Sequence, residues 1–324
     1  MKQPRTLQQA ILYYSDPDRC LEYMVSKLWP DGVTCPYVHC KRKDPVFLKN
    51  QRKWQCKSVH PHRQFSAKVG TIFEDSPIPL EKWLPVVWML CNCKNGVSSY
   101  EIGRTIGVTQ KTAWFMLHRI RVAMKNQSLF KIGGSGNRVE VDETYVGGKS
   151  LNMHKDRRLR YEQAGAHHGK AAVVGMLDRD ARKVRAEVVP NVKRDTLQAE
   201  ILKQVKYGST IYTDSAPAYD LLHWRYVHDI VNHAEQYVNG RVHTNSLENF
   251  WSLLKRNLGG TYVAVEPFHL SRYVDEQVFR FNNRKDGKRP IGDAERFDLA
   301  MSQITNKRLT YAELTGKDGE TTPA

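Results

Sequence analysis

Apolar residues in this chain first recur at helical spacing. Leu21, Met24, Val25 and Leu28 fall three and four apart, and with a turn at 15–18 they predict a helical lead-in over residues 1–30. Between 34 and 73 that periodicity gives way to Cys, His and Pro with short β-like pieces at 45–48 and 52–55, which predicts a small metal-stapled module. Helical spacing returns over 79–125, until KIGGSGN at 131–137 breaks it as a linker would. Strands follow at 139–146, 171–177 and 184–189, with DRDARK at 178–183 as the turn between the last two. A helix at 196–205, a short strand at 210–213 and a helix at 218–224 after Pro217 come next, then helices at 245–258 and 269–281. This order predicts an α/β layer architecture with a mixed sheet. No internal repeat is visible, and the tail after Thr315 reads as disordered.

Composition narrows the class. The chain has 324 residues, enough for about two domains. Lys and Arg number 50 against 34 Asp and Glu, a formal charge of +16 that points to a polyanionic partner. The longest apolar run, at 83–93, is short of the roughly 18 residues needed to span a bilayer, and the first twenty residues hold no apolar leader. The expectation is a cytoplasmic protein with no membrane partner. Its six cysteines should then be reduced, with Cys91 and Cys93 serving as core.

Three acids stand out by position. On the strand at 139–146, Val139, Val141 and Tyr145 share one face and leave Glu140, Asp142 and Thr144 on the other, so Asp142 is a charge planted mid-sheet. Asp214 ends the short strand that precedes Pro217. The segment NSLENFWSLLKRNL sorts into two stripes at helical pitch: Leu247, Phe250, Trp251, Leu254 and Leu258 form the core side, Asn245, Glu248, Ser252 and Lys255 the polar side. Each acid alone has a plain reading as a wet face, a helix cap or a solvated stripe. Together they could converge over the sheet as a carboxylate triad, the donor set that two magnesium ions roughly 4 Å apart need for in-line phosphoryl displacement.

At these residues the chain resembles a known family. The order of strands and helices, with acids on the first strand, after the fourth and on a later helix, is similar to the ribonuclease-H-like core of DDE transposases and retroviral-type integrases. VDETYVGGK at 141–149, IYTDSAPAY at 211–219, HTNSLENFWSLLKRNLGGTY at 243–262 and YVDEQVFRFNNR at 273–284 resemble the zinc-ribbon insertion-sequence transposases related to the Merlin group. The resemblance spans about residues 30–290. It implies that Asp142, Asp214 and Glu248 form a magnesium-binding catalytic triad and that Lys255, with Arg256 beside it, contacts the element's end. Asn245 shares the polar stripe and is an additional candidate, but a carboxylate binds Mg²⁺ more strongly than a neutral amide, which favours Glu248.

The amino-terminal half carries two further modules. Cys35, Cys40, Cys56, His60 and His62 resemble the two knuckles of a zinc ribbon, with spacing that departs from paired Cys-x-x-Cys. Zinc takes four such ligands, and five candidates compete for the places; Cys35, Cys40, Cys56 and His60 are the set adopted. SSYEIGRTIGVTQKTAWFMLHRIR at 98–121 has a helix, a turn holding Gly107 and a second helix, a helix-turn-helix pattern whose Gln110, Lys111 and Thr112 would face base edges. The plain alternative is an αα-hairpin. The loop at 149–170 is rich in cations, Arg157 and Arg158 among them, and is placed to hold phosphates beside Asp142.

The organisation expected is a lead-in at 1–30, a zinc-ribbon-like module at 31–75, a helix-turn-helix domain at 76–130, a linker at 131–138, a ribonuclease-H-like catalytic domain at 139–290 and an extension at 291–324. The function expected is a transposase that binds the ends of its insertion sequence in double-stranded DNA, cuts there and joins the 3′-hydroxyls to target DNA with two Mg²⁺ ions, beside a structural Zn²⁺. The resemblance also implies a homodimer or larger synaptic assembly, associated with the nucleoid when acting. Rival readings are a DNA-binding regulator with an idle triad and a structure-specific nuclease with no joining step.

Overall fold

The computed structural model describes residues 4–40, 42–125, 130–147, 169–214, 217–219, 222–231 and 243–317. Two units divide them: one joins 1–125 with 291–324, the other is 126–290.

In the first unit, α1 (Leu7–Tyr14) and α2 (Pro17–Leu28) form the lead-in, and Asp16 caps α2 with Pro17 at its first turn. An antiparallel meander follows, β1 (Val46–Leu48), β2 (Lys53–Gln55) and β3 (Gln64–Phe65), with Phe47 opposite Trp54 and Trp54 opposite Phe65. Trp29 packs edge-on against Trp54, so this small sheet has an aromatic core besides its cysteines. The apolar run at 83–93 falls in α3 (Leu80–Asn92), a helix buried almost all round. The helices α4 (Ser99–Ile106) and α5 (Gln110–Met124) are separated by a turn of three residues. A capping box at Ser98 and Glu101 starts α4, Gly107 ends it with φ +63°, and Thr109 caps α5. The helix Asp293–Met301 returns to this unit from far along the chain: Phe297 stacks on Tyr23 and lies 5.2 Å from the Trp88 ring.

The second unit is built on a five-stranded sheet. Its elements are β4 (Arg138–Val146), β5 (Ala171–Asp178), β6 (Lys183–Val189), α6 (Arg194–Gln204), β7 (Thr210–Asp214), β8 (Val227–Val231), α7 (Asn245–Gly260) and α8 (Pro267–Asn282). The strand order is β6-β5-β4-β7-β8. The first three strands meander antiparallel, whereas β7 and β8 run parallel to β4. This is the ribonuclease-H-like arrangement expected. Val139, Val141, Val174 and Met176 pack with Leu197 and Ile201 of α6 on one face. Val173, Leu177 and Val184 pack with Leu247, Phe250, Trp251 and Leu254 of α7 on the other. Two covered faces explain why β5 reads as a nearly unbroken apolar run. Asn282 at the end of α8 exchanges two hydrogen bonds with the backbone of Val184, which ties the edge strand β6 to the helix layer.

Two expectations need correcting. Residues 218–224 do not read as one helix: the described residues form short 3₁₀ turns at Pro217–Tyr219 and Leu222–Trp224, because Tyr219, Leu222 and Tyr226 all turn into the core beside α6. The strand β8 was not anticipated. The Gly-rich segment at 131–138 is fastened to the sheet unit, where Ile132 bridges Val205 and its N–H donates to the Gln204 carbonyl at 2.8 Å. The basic loop carrying Arg157 and Arg158, and the tail from 318, lie outside the described residues.

Candidate metal centres and acidic face

The ribbon gathers its ligands through two backbone turns. Cys35 N–H donates to the Arg42 carbonyl at 2.8 Å and Cys56 N–H to the Arg63 carbonyl at 2.7 Å, so each chain reversal aims sulfur inward. The ligand atoms of Cys35, Cys40, Cys56 and His60 all lie within 4.8 Å of one another. Cys35 Sγ is 3.5 Å from His60 Nε2, and Cys40 Sγ is 3.5 Å from Cys56 Sγ. Three thiols and an imidazole at this spacing fit a tetrahedral structural zinc site. Tyr37 stacks face to face on His60 at 4.6 Å and fixes its ring, while His39 and His62 stay outside the set.

The second centre is acidic. On β4, Glu140 is the last residue paired with β7, opposite Tyr212; Asp142 and Asp214 each lie two residues beyond that pair, near enough for the charge of Asp214 to act on Asp142. Alternation puts both on the sheet face that α7 covers, the face where Glu140 accepts the Leu247 N–H at 2.9 Å. Asp142 Oδ2 accepts the Trp251 indole N–H at 2.9 Å. Burial first, then the charges of Glu143 and Asp214, push the Asp142 carboxyl up to about 7, against the lowering effect of the indole. Glu143 points to the opposite face and accepts from the Tyr219 hydroxyl; burial raises its carboxyl too.

Glu248 is exposed on α7, takes a hydrogen bond from Thr244 Oγ1 at 3.3 Å, and raises the affinity of His243 for protons. Among the described residues, the ribbon supplies the group of three or more potential ligand atoms within 4.8 Å of one another; the oxygens of Asp142, Asp214 and Glu248 are not all that close. Lys255 and Arg256 are exposed further along α7.

Asn245 lines a groove of about 640 Å³ with Arg138, Arg179, Arg182, His243 and Asn249 at the start of α7. Beneath it Arg179 donates to the fully buried Glu140 and to His243 Nδ1, and its guanidinium sits 4.5 Å from the Tyr212 ring centroid. Burial and Arg179 hold His243 below its usual range, so the imidazole is neutral near pH 7. This Glu140–Arg179–His243 network was not read from the sequence, because a buried Glu on an apparently wet strand face carries no distinguishing pattern. Asp178 and Asp180 serve the β5–β6 turn: Asp178 accepts the N–H groups of Asp180 and Ala181, and Asp180 pairs with Arg138 at 2.7 Å.

In the helix pair of the first unit, the Gln110 amide donates to Ser99 Oγ at 2.8 Å and the Thr112 N–H to Thr109 Oγ1. Lys111 Nζ lies 4.9 Å from the centroid of the Tyr311 ring, a contact made by the short helix Tyr311–Thr315.

A zinc ribbon, a helix pair and a ribonuclease-H-like sheet with aspartates on two neighbouring strands define a class of nucleic-acid-processing proteins. Comparison with known proteins places the chain within that class. Residues 133–282 match the ISXO2-like transposase domain and residues 15–59 the transposase zinc-ribbon domain. A transposase-like protein of Haemophilus influenzae is 35% identical over 102 residues, 31% of this chain and 82% of that one. An uncharacterized protein in transposable element ISH50 of Halobacterium salinarum is 26% identical over 279 residues, 81% of this chain and 90% of that one. A chain in the cryoEM structure of the simian T-cell lymphotropic virus intasome with PP2A regulatory subunit B56 gamma aligns at a TM-score of 0.30 and 15% identity, covering 63% of this chain and 70% of that one. The chain belongs to the ISXO2-like, zinc-ribbon transposases of insertion sequences. No helix among the described residues is long and apolar enough to cross a membrane.

Proposed function

We propose that the protein cuts DNA at the ends of its own insertion sequence and joins the freed ends to target DNA, with Asp142, Asp214 and Glu248 as its catalytic acids. The observation that supports this reading most is that Asp142 and Asp214 lie on neighbouring parallel strands, each two residues past the last pair Glu140–Tyr212, with the charge of Asp214 felt at Asp142. Hard carboxylate oxygens in a half-buried, like-charged setting suit Mg²⁺, which needs few protein ligands. Asp142 and Asp214 would hold the ions, and Glu248, by a rotation of its exposed side chain, would complete the set, with Asn245 as the alternative third donor. Bound there, two magnesium ions would supply Lewis acidity at the scissile phosphate and a nucleophilic oxygen at neutral pH.

The chain's own residues would do the rest. Lys255 and Arg256, exposed on α7, would hold backbone phosphates of the element end. Arg157 and Arg158 would add cations from their loop. The second helix of the α4–α5 pair would enter a major groove with Gln110, Lys111 and Thr112 leading, and the zinc ribbon would dock beside it. In cleavage the oxygen of water bonds to phosphorus as the phosphorus bond to the 3′ oxygen breaks, leaving a 3′-hydroxyl. In joining, that hydroxyl oxygen bonds to a target phosphorus as the bond from that phosphorus to its 3′ oxygen breaks, and the proton lost by the attacking hydroxyl is made up on the released target 3′-hydroxyl. Holding two ends at once calls for a homodimer or larger assembly on the chromosome.

Purified zinc-loaded protein incubated with Mg²⁺ and duplexes carrying the element's flanking repeats should yield nicked and then joined products on a denaturing gel. Nicks without joined strands would leave a nuclease; binding without either product would leave a regulator.

A further inference from the structure

Trp251 belongs to the apolar stripe of α7 and is 4% exposed, yet its indole N–H leaves that stripe to donate to Asp142 Oδ2. The ring reaches the strand because the residue paired with Asp142 on β5 is Gly175. A Cβ at Gly175 would stand 2.6 Å from Trp251 Cζ2, 2.7 Å from Cη2 and 3.0 Å from Leu247 Cδ1. Gly175 is not among the residues with positive φ, so the backbone there could accept a side chain and space alone demands glycine. A glycine inside a central strand weakens it and commonly marks a close approach. Here the approach is that of one indole to one carboxylate. Phe250 meets the ring at 5.1 Å, and Leu247 packs with it in the same core over Gly175, so the donor sits in a packed setting.

We propose that Trp251 is a positioning residue for Asp142, and that Gly175 is the opening in the sheet that admits it. The indole holds Oδ2, fixes the carboxylate plane and leaves Oδ1 to the incoming cation. An N–H donor on the far oxygen of a metal-binding carboxylate is the usual outer-shell device for orienting it. The inference rests on the reading of Asp142 as a metal-binding acid.

The test measures Mn²⁺ affinity of the zinc-loaded full chain by electron paramagnetic resonance of the unbound ion, alongside the melting temperature. Benzothienylalanine in place of Trp251 keeps the ring's shape and lacks the N–H. It should leave melting unchanged and weaken Mn²⁺ binding about tenfold or more, the range for loss of an outer-shell partner. Gly175→Ala, which displaces the ring without altering it, should weaken Mn²⁺ binding in the same direction, and Asp142→Asn marks the level of a lost site. If the isostere binds Mn²⁺ as the unaltered protein does while Asp142→Asn does not, the indole merely packs and the proposal is overturned. If Asp142→Asn binds Mn²⁺ unchanged, the reading of the acidic face fails first and the positioning role falls with it.

Discussion

Asp142→Asn should leave a folded protein that no longer cuts or joins DNA, with the rate of strand cleavage down about a thousandfold or more, since metal-borne charge stabilisation is worth several kcal/mol in the transition state and each 1.4 kcal/mol is tenfold. The expectation for stability runs the other way. The carboxyl replaced is half-buried beside Glu143 and Asp214, which with burial push it up to about 7, and the amide of Asn keeps the acceptor that the Trp251 indole requires. Exchanging an ill-tolerated charge for a neutral group of the same shape should hold the melting temperature level or raise it, the pattern of a residue kept for chemistry at some cost to the fold. Calorimetry beside the cleavage assay checks both halves. A variant that melts earlier and retains cleavage would make Asp142 an ordinary structural acid.

Zinc removal should act on the other unit. The ribbon's sheet has strands of two or three residues and a core of little more than Trp29, Trp54 and Phe65, too small to stand on burial alone. Structural zinc contributes roughly 10–16 kcal/mol of apparent binding free energy in small fingers, and that energy is folding energy. Chelation, or Cys56→Ser, should therefore abolish amide protection across β1, β2 and β3 in hydrogen exchange. The strands β4 to β8, with cores on both faces, should keep theirs. Protection of the ribbon persisting after metal analysis shows zinc gone would contradict this.

Much of the architecture is legible in the sequence because periodicity reports burial. The two stripes of α7 appear in the structure as read, with Asn245, Glu248, Ser252 and Lys255 exposed; at 139–146 Val139 and Val141 are fully buried as their face predicts, but Glu140 and Thr144 on the other face are buried as well. Of the five ribbon candidates, the four adopted from the sequence, Cys35, Cys40, Cys56 and His60, are the four that cluster, whereas the Tyr37 stack that fixes His60 leaves no trace in spacing.

What the sequence hid has physical reasons. The strand β8 is five residues with His228 and Asp229 at its centre, so no apolar alternation marks it. The helical pattern at 218–224 was overridden by packing of Tyr219 and Leu222 against α6. Trp251 reads as core because periodicity senses the ring and not its N–H, and Gly175 reads as a weak point in a strand until the ring above it is seen. Docking of Phe297 among Tyr14, Tyr23 and Trp88 joins residues more than two hundred positions apart, beyond any local pattern.

On this reading the acids of β4, β7 and α7 make one divalent-cation site. Anomalous scattering from crystals grown with Mn²⁺ locates such ions directly. Two peaks about 4 Å apart are expected, with Asp142 and Asp214 in contact and Glu248 turned inward to meet them. Manganese bound elsewhere on the chain, with the space between Asp142 and Asp214 empty at concentrations that sustain cleavage, would contradict this reading.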